Sequence, residues 1–209
     1  MPGRFYDAVV DFHQPKDYGF TSDSILLAKF ADFSGVGRAA DFGAGCGIVG
    51  LCALENSVDH LIKRMFFVEA EPGFFEFLDK NLALYESRCQ TALTSLKSDW
   101  RCLSKGDFDG PLDCILCNPP YFPLEEGRSS PSPLRDSARR ERRGNLADLV
   151  AKCAELLTAK GRLALTLPFG RGAELESLLT RHGFAKRRAQ AAWHKGGKPR
   201  LLLLEALKL

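Results

Sequence analysis

The chain has 209 residues and a mass of 23.1 kDa, room for one substantial domain. Hydrophobic residues make up 45% and charged residues 26%, which excludes a disordered, collagen-like or coiled-coil protein. No run approaches the roughly 20 apolar residues that span a bilayer. The opening MPGRFYDAVVDFHQP has no signal-peptide core and the net charge is only +3, so the expectation is a cytoplasmic protein whose overall charge singles out no partner.

In chain order, Arg38 to Phe42 reads as a short strand ending in the glycine-rich turn DFGAGCG, and IVGLCALEN follows with helical spacing. Arg64 to Glu69 (RMFFVE) is a buried strand, and Pro72 opens a helix through FFEFLDKNLALY. Thr91 to Lys97 and Pro111 to Cys117 are the next strands. Asn145 to Lys160 is an amphipathic helix stopped by Gly161, followed by a strand over Arg162 to Leu167 and a helix over Gly172 to Arg181. Two last strands, Ala185 to Ala192 and Arg200 to Lys208, are joined by too short a link for a crossover helix and should pair as an antiparallel edge hairpin. The whole predicts a single α/β domain over 1–209, with a doubly wound, mostly parallel seven-stranded sheet.

The seven cysteines are scattered and odd in number, and are expected to be buried, reduced small hydrophobes. Cys114 and Cys117 form a CxxC inside the strand LDCILC, where positions three apart point to opposite faces, so they make no metal pair. Trp100 and Trp193 are expected to be packing residues rather than base platforms. The segment 122–144 has no hydrophobic period and carries six arginines, among them Arg139, Arg140 and Arg142. Two readings stand for it: a solvated surface loop, or a phosphate-binding lid beside an active site. The basic residues Lys186, Arg187, Arg188, His194, Lys195, Lys198 and Arg200 are likewise either a solvated face or backbone-phosphate contacts.

Asp41, Gly43, Gly45 and Gly47 fall at the carboxyl end of the first central strand, where glycines let a ligand approach the backbone and a helix N-terminus points amides at it. Gly45-Cys-Gly47-Ile-Val-Gly50 matches the GxGxxG of nicotinamide enzymes, with Glu69 at about the expected distance. The pattern nevertheless begins at Gly43, and DxGxGxG resembles the first motif of S-adenosylmethionine (SAM) methyltransferases. On the turn alone both cofactors stay open. Asn118-Pro119-Pro120-Tyr121 follows the fourth strand at the same edge. A purine amine is a poor nucleophile because its lone pair is delocalised into the ring. Acceptors at the Asn118 side-chain oxygen and the Pro119 carbonyl would draw its nitrogen towards a tetrahedral form, with Tyr121, and Phe122 beside it, as a stacking face. A planar NH2 is also what a glutamine amide presents, so the motif specifies the reaction better than the substrate.

The stretch QPKDYGFTSDSILLA at 14–28 resembles the leader of the bacterial tRNA(Val) adenine N6-methyltransferase family. The likeness continues in DFGAGCGIVGL, FFVEAEP…NL, SDWR, NPPYF, ARRE at 138–141 and GRLALTLP, and covers roughly residues 12 to 170. It implies a Rossmann-like class I fold, SAM as cofactor and tRNA as partner. By position it implies that residues 1–35 form a leader closing over the cofactor. The cofactor residues would be Gln14, Asp41, Gly43, Ala44, Gly45, Gly47, Glu69, Ala70, Asp99, Trp100 and Asn118. Asn118 to Tyr121 would hold the target base, with Phe122, Arg139, Arg140, Arg142 and Lys198 on the RNA and no metal involved. Arg140 stands where members of the family often carry histidine. The alternatives are a guanine N2-methyltransferase of ribosomal RNA, a methyltransferase for a release-factor glutamine, and a non-catalytic RNA-binding module. The glutamine enzymes normally have a separate helical N-terminal domain, for which the roughly 40 residues before the turn leave no room.

Overall fold

Short apolar runs that cannot make helices become the centre of a sheet. The computed structural model describes residues 12–16, 19–57, 62–119, 145–193 and 197–209. Among these, seven strands form one sheet: β1 (Arg38–Phe42), β2 (Arg64–Glu69), β3 (Ala92–Lys97), β4 (Leu112–Cys117), β5 (Leu157–Pro168), β6 (Phe184–Trp193) and β7 (Pro199–Lys208). Their order is β3-β2-β1-β4-β5-β7-β6. The first five are parallel, and β7 is antiparallel to both β5 and β6. The expected hairpin is therefore present, with its second strand on the inside.

Helices cover both faces. On one lie α1 (Ser22–Phe30), α2 (Ile48–Asn56) and α3 (Pro72–Glu86), packed on Met65, Phe67, Cys114 and Leu116. On the other lie α4 (Leu146–Leu156) and α5 (Gly172–Arg181), packed on Phe42, Ile115, Cys117 and Leu204. Cys114 and Cys117 thus point to opposite faces, as alternation along a strand requires. Five cysteines are buried, but Cys89 is half-buried and Cys102 exposed, which corrects the expectation for those two. Both flank β3, an edge strand with no buried residue, Cys89 in the loop before it and Cys102 in the 3-10 turn after it.

Two elements differ from the sequence reading. Helix α4 begins as expected, with Asn145 and Asp148 capping one another's backbone N–H, but it ends at Leu156 rather than Lys160. Leu157 turns extended and pairs with Leu112, and Gly161 sits in a bend so tight that a Cβ there would lie 2.9 Å from the Thr158 carbonyl oxygen. The glycine marks a kink at the start of a strand, not the stop of a helix. Helix α1 occupies part of the leader, where no element was assigned from sequence. Its inward residues Leu27, Ala28 and Phe30 join the core, and its far end is clamped to the sheet. There the buried Glu205 of β7 accepts from the Asp32 N–H at 2.9 Å and from Arg187 and Arg188 at 2.5 and 3.0 Å.

The chain steps outward from β1 to β2 and β3, then returns to β4 on the other side of β1. The loops after β1 and β4 leave in opposite directions, and a crevice opens between them at the carboxyl edge, the usual ligand position in such sheets.

Candidate active site

A cleft occupies that crevice. Gly43, Ala44, Gly45 and Cys46 form one wall, and Ile48 and Val49 from the first turn of α2 lie beneath them. Phe12, Gln14, Phe20 and Ser24 from the leader form the opposite side, and Asn118 closes it from the end of β4. Among the described residues no charged side chain lines it. The turn is tied down where Gly43 and Ala44 donate to the Val68 carbonyl of β2 at 2.9 and 3.0 Å. Gly43 and Gly45 have left-handed φ values of 69° and 56°, and a Cβ on either would meet nothing within 4 Å. At Gly50, by contrast, a Cβ would lie 2.4 Å from the Phe67 ring, so this third glycine of GxGxxG serves helix-to-sheet packing.

The acidic residues lie around the cradle rather than in it. Glu69 is buried at the end of β2, where one carboxylate oxygen accepts from Gly45 N–H at 2.7 Å and the other from Ala70 and Glu71 at 2.8 and 2.6 Å. Burial raises its pKa while those three N–H groups oppose the rise. Asp41 is fully buried beneath the turn, off the cleft wall where the family resemblance had placed it. Its Oδ2 accepts from Gly50 N–H at 2.9 Å, and its Oδ1 has no hydrogen-bond partner among the described residues. Burial, with a smaller push from Glu69 and against the Gly50 bond, lifts its pKa to about 7. Asp99 follows β3 and engages Arg101, accepting from its backbone N–H at 2.9 Å and its guanidinium at 2.7 Å. Trp100 stacks on Phe42 at 6.3 Å and packs against the core.

Asn118 is the reactive-looking group inside the cleft. Its Oδ1 accepts from the Thr166 hydroxyl at 2.6 Å, and its Nδ2 donates to Ser24 Oγ at 3.0 Å. Gln14 caps the leader's own turn, accepting from Phe20 N–H at 3.2 Å. The leader as a whole is fastened by Asn81 of α3, which sequence reading missed. The Asn81 carboxamide accepts from His13 N–H and donates to both the His13 and Cys46 carbonyls, each at 2.8 Å. One buried side chain thus holds both sides of the cleft. Its signal was available: Asn81 interrupts the inward stripe Phe74, Leu78, Leu82, Tyr85 with a polar residue. Thr166, also missed, is a lone polar residue in the apolar stretch LALTL at 163–167.

Lys198 is exposed beside the start of β7, on the same edge of the sheet as the cleft. Lys186, Arg187 and Arg188 are instead engaged with Glu176, Asp32 and Glu205. Trp193 is 62% exposed at the end of β6, against the expectation that it packs, because the strand leaves the core before reaching it. Pro120, Tyr121, Phe122, Arg139, Arg140 and Arg142 lie outside the described residues.

No family model matches the chain. Among curated proteins it is 30% identical over 185 residues to the tRNA1(Val) (adenine(37)-N6)-methyltransferase of Tolumonas auensis, covering 88% of this chain and 73% of that protein. It is 26% identical to the protein of the same name from a Flavobacteriaceae bacterium, covering 98% and 83%. Among solved structures, precorrin-6y C5,15-methyltransferase from Geobacter metallireducens superposes with a TM-score of 0.58 at 17% identity, covering 95% of this chain and 93% of that one. TrmN from Thermus thermophilus superposes with a TM-score of 0.57 at 23% identity, covering 89% and 48%. These two likenesses show the methyltransferase fold.

Proposed function

This chain belongs to the family of tRNA1(Val) (adenine(37)-N6)-methyltransferases, and we propose on that footing that its own target is the adenine beside the anticodon of a valine tRNA. It is a SAM-dependent tRNA adenine-N6 methyltransferase, which decides between the two cofactors that the glycine turn alone left open. The observation that carries the assignment to this cleft is that Asn118 and the glycine cradle, 71 or more residues apart in sequence, both line it.

The cleft fits the cofactor by its chemistry. Open space beside Gly43 and Gly45 admits a ligand against the backbone. Bound SAM supplies a methyl group activated by a positive sulfonium. In the proposed assignment Gly43, Ala44, Gly45 and Gly47 shape its bed, and Gln14 with Phe12 and Phe20 covers it. Glu69 braces the turn through Gly45, and a carboxylate oxygen that accepts one N–H still has a lone pair to offer a ribose hydroxyl. Ala70, Asp99 and Trp100, at the ends of β2 and β3, border the adenine end. Asp41 acts from below, holding the first turn of α2 through Gly50.

On the substrate side, Asn118 Oδ1 and the Pro119 carbonyl accept the two protons of the adenine amine, which frees the nitrogen lone pair for in-line attack. Proline at 119 restricts the backbone that aims the second acceptor. No strong base is required, since the nitrogen loses a proton only after it becomes cationic, and the uncharged lining among the described residues agrees with this. Positioning is then the main source of rate. Tyr121 and Phe122 stack the extruded base, for which an anticodon loop costs less unstacking than a duplex. Arg139, Arg140, Arg142 and Lys198 hold backbone phosphates.

The test is transfer of labelled methyl from SAM to unmodified bacterial tRNA, followed by nucleoside analysis. The expected product is N6-methyladenosine in valine tRNA. Absence of label in tRNA while SAM still binds would refute the reading and turn the search to ribosomal RNA and release factors.

A further inference from the structure

A carboxamide has two ends of nearly the same size and opposite chemistry. The torsion that exchanges them is soft and close to two-fold, so a side chain held only by packing samples both. For Asn118 one end is useful: an oxygen facing the amine accepts a proton, whereas an NH2 in its place repels one. Something must choose the end, and the glycine cradle, the family motif and Pro119 do not.

We propose that Thr166 and Ser24 are positioning residues that set the orientation of the Asn118 carboxamide, and that through Ser24 this orientation depends on the leader being seated. The inference rests on the proposed role of Asn118 in amine activation. Thr166 is completely buried on β5 and Ser24 nearly so in the first turn of α1, so neither hydroxyl exchanges freely with water. Register places Thr166 opposite the residue after Cys117, since Cys117 itself pairs with Leu165. The separations agree with Thr166 as a donor and Ser24 as an acceptor. The contact of 2.6 Å to Thr166 suits O–H···O and is short for N–H···O, while the contact of 3.0 Å to Ser24 suits N–H···O. Exchanging the ends would put an N–H donor at the shorter distance. A carbonyl oxygen accepts through two lone pairs, so the Thr166 bond and a bond from the substrate amine can coexist.

Ser24 adds a dependence on the leader. It is carried on the same segment as Phe12, Gln14 and Phe20, which line the cofactor cleft, and that segment is fastened by Asn81. With the leader displaced, Nδ2 loses the Ser24 acceptor, so the amide is better aligned for transfer when the cleft is covered.

The experiment compares Thr166→Val, which keeps the shape and removes the hydroxyl, with Thr166→Ser, which restores it, and with Ser24→Ala. Single-turnover transfer to tRNA is measured at saturating SAM, alongside SAM affinity and thermal stability. Thr166→Val is expected to slow transfer by about 10- to 100-fold with SAM affinity within about two-fold of the parent. Thr166→Ser should recover most of the rate. Ser24→Ala should lose less, and the double variant should lose less than the product of the two, because an unaligned amide has little further to lose. Equal loss in Thr166→Val and Thr166→Ser would overturn the proposal, as would transfer in Thr166→Val within about three-fold of the parent. If Thr166→Val does not fold, Thr166→Ser and Ser24→Ala carry the comparison with the slowed hydrogen exchange of the Asn118 side-chain amide, followed in ¹⁵N spectra. That spectrum requires no RNA. Protected amide protons with no label in tRNA would sustain the positioning role and refute the substrate, whereas unprotected ones would refute the positioning itself.

Discussion

Asn118 works as a neutral acceptor, so its contribution should vanish with the carboxamide and leave the cofactor site intact. Asn118→Ala is expected to abolish methyl transfer while SAM affinity stays within about two-fold, as read by label transfer and equilibrium binding. Activity within a few-fold of the parent would remove amine activation from this residue. Asp41 makes a different prediction, in pH. Its pKa is about 7 in the native state against an ordinary 3.8, raised chiefly by burial. Between those values the unfolded chain has released a proton that the native chain keeps, so this group favours the native state fully below about pH 4 and progressively less up to about pH 7. The slope approaches about 1.4 kcal/mol per pH unit and disappears above the native value. Asp41→Asn has no proton to lose, so its stability relative to the parent should rise from pH 5 to pH 7.5 in urea unfolding. An unchanged difference across that range would mean that Asp41 is charged in the native state.

Among the elements, the leader and α3 share one fastening. Asn81 is 1% exposed and reaches backbone groups of both His13 and Cys46. Asn81→Leu keeps the volume and deletes all three bonds. It should weaken SAM binding by about tenfold and expose the leader to limited proteolysis, with α3 still folded. SAM affinity equal to the parent's would show that the leader closes without this fastening. Elements were legible in the sequence where a short apolar run met a glycine or proline: all seven strands could be read, as could the turn after β1 and the motif after β4. Legibility failed where tertiary pairing overrode local pattern. Leu157 to Lys160 continue a helical spacing, yet Leu157 belongs to β4's partner because Leu112 offers it a ladder position. Helix α1 has few local marks, since its packing on α2 and its clamp to β7 supply what its own sequence does not. The candidate site was visible as motifs, but the hydroxyls around Asn118 were not, because Ser24 and Thr166 come from elements 142 residues apart.

At the scale of the molecule, the far end of the leader is joined to the opposite edge of the sheet through charge. Glu205 is buried among Asp32 N–H, Arg187 and Arg188, and Arg188 also lies 4.4 Å from the Phe30 ring. The two arginines are about 40% exposed on their side chains and can recover water, so removing the carboxylate strands the Asp32 N–H more than it strands a charge. Glu205→Leu, which removes both acceptor oxygens, should therefore cost about 1–3 kcal/mol of unfolding free energy and speed hydrogen exchange in α1, with little change in α4. No change in α1 would show that this clamp does not hold the leader. The strand order has a further bearing on how the molecule is made. β6 precedes β7 in the chain but touches the sheet only through it. On a ribosome, β6 must emerge and wait, unpaired on both sides, until β7 has followed it. Lys186, Arg187 and Arg188 occupy the middle of that waiting strand, where like charges keep a nascent segment hydrated and discourage its pairing with a neighbouring nascent chain. The same arginines that later close on Glu205 thus act first as guardians of an orphan strand, and the leader's far end gains its clamp only when synthesis has passed β7.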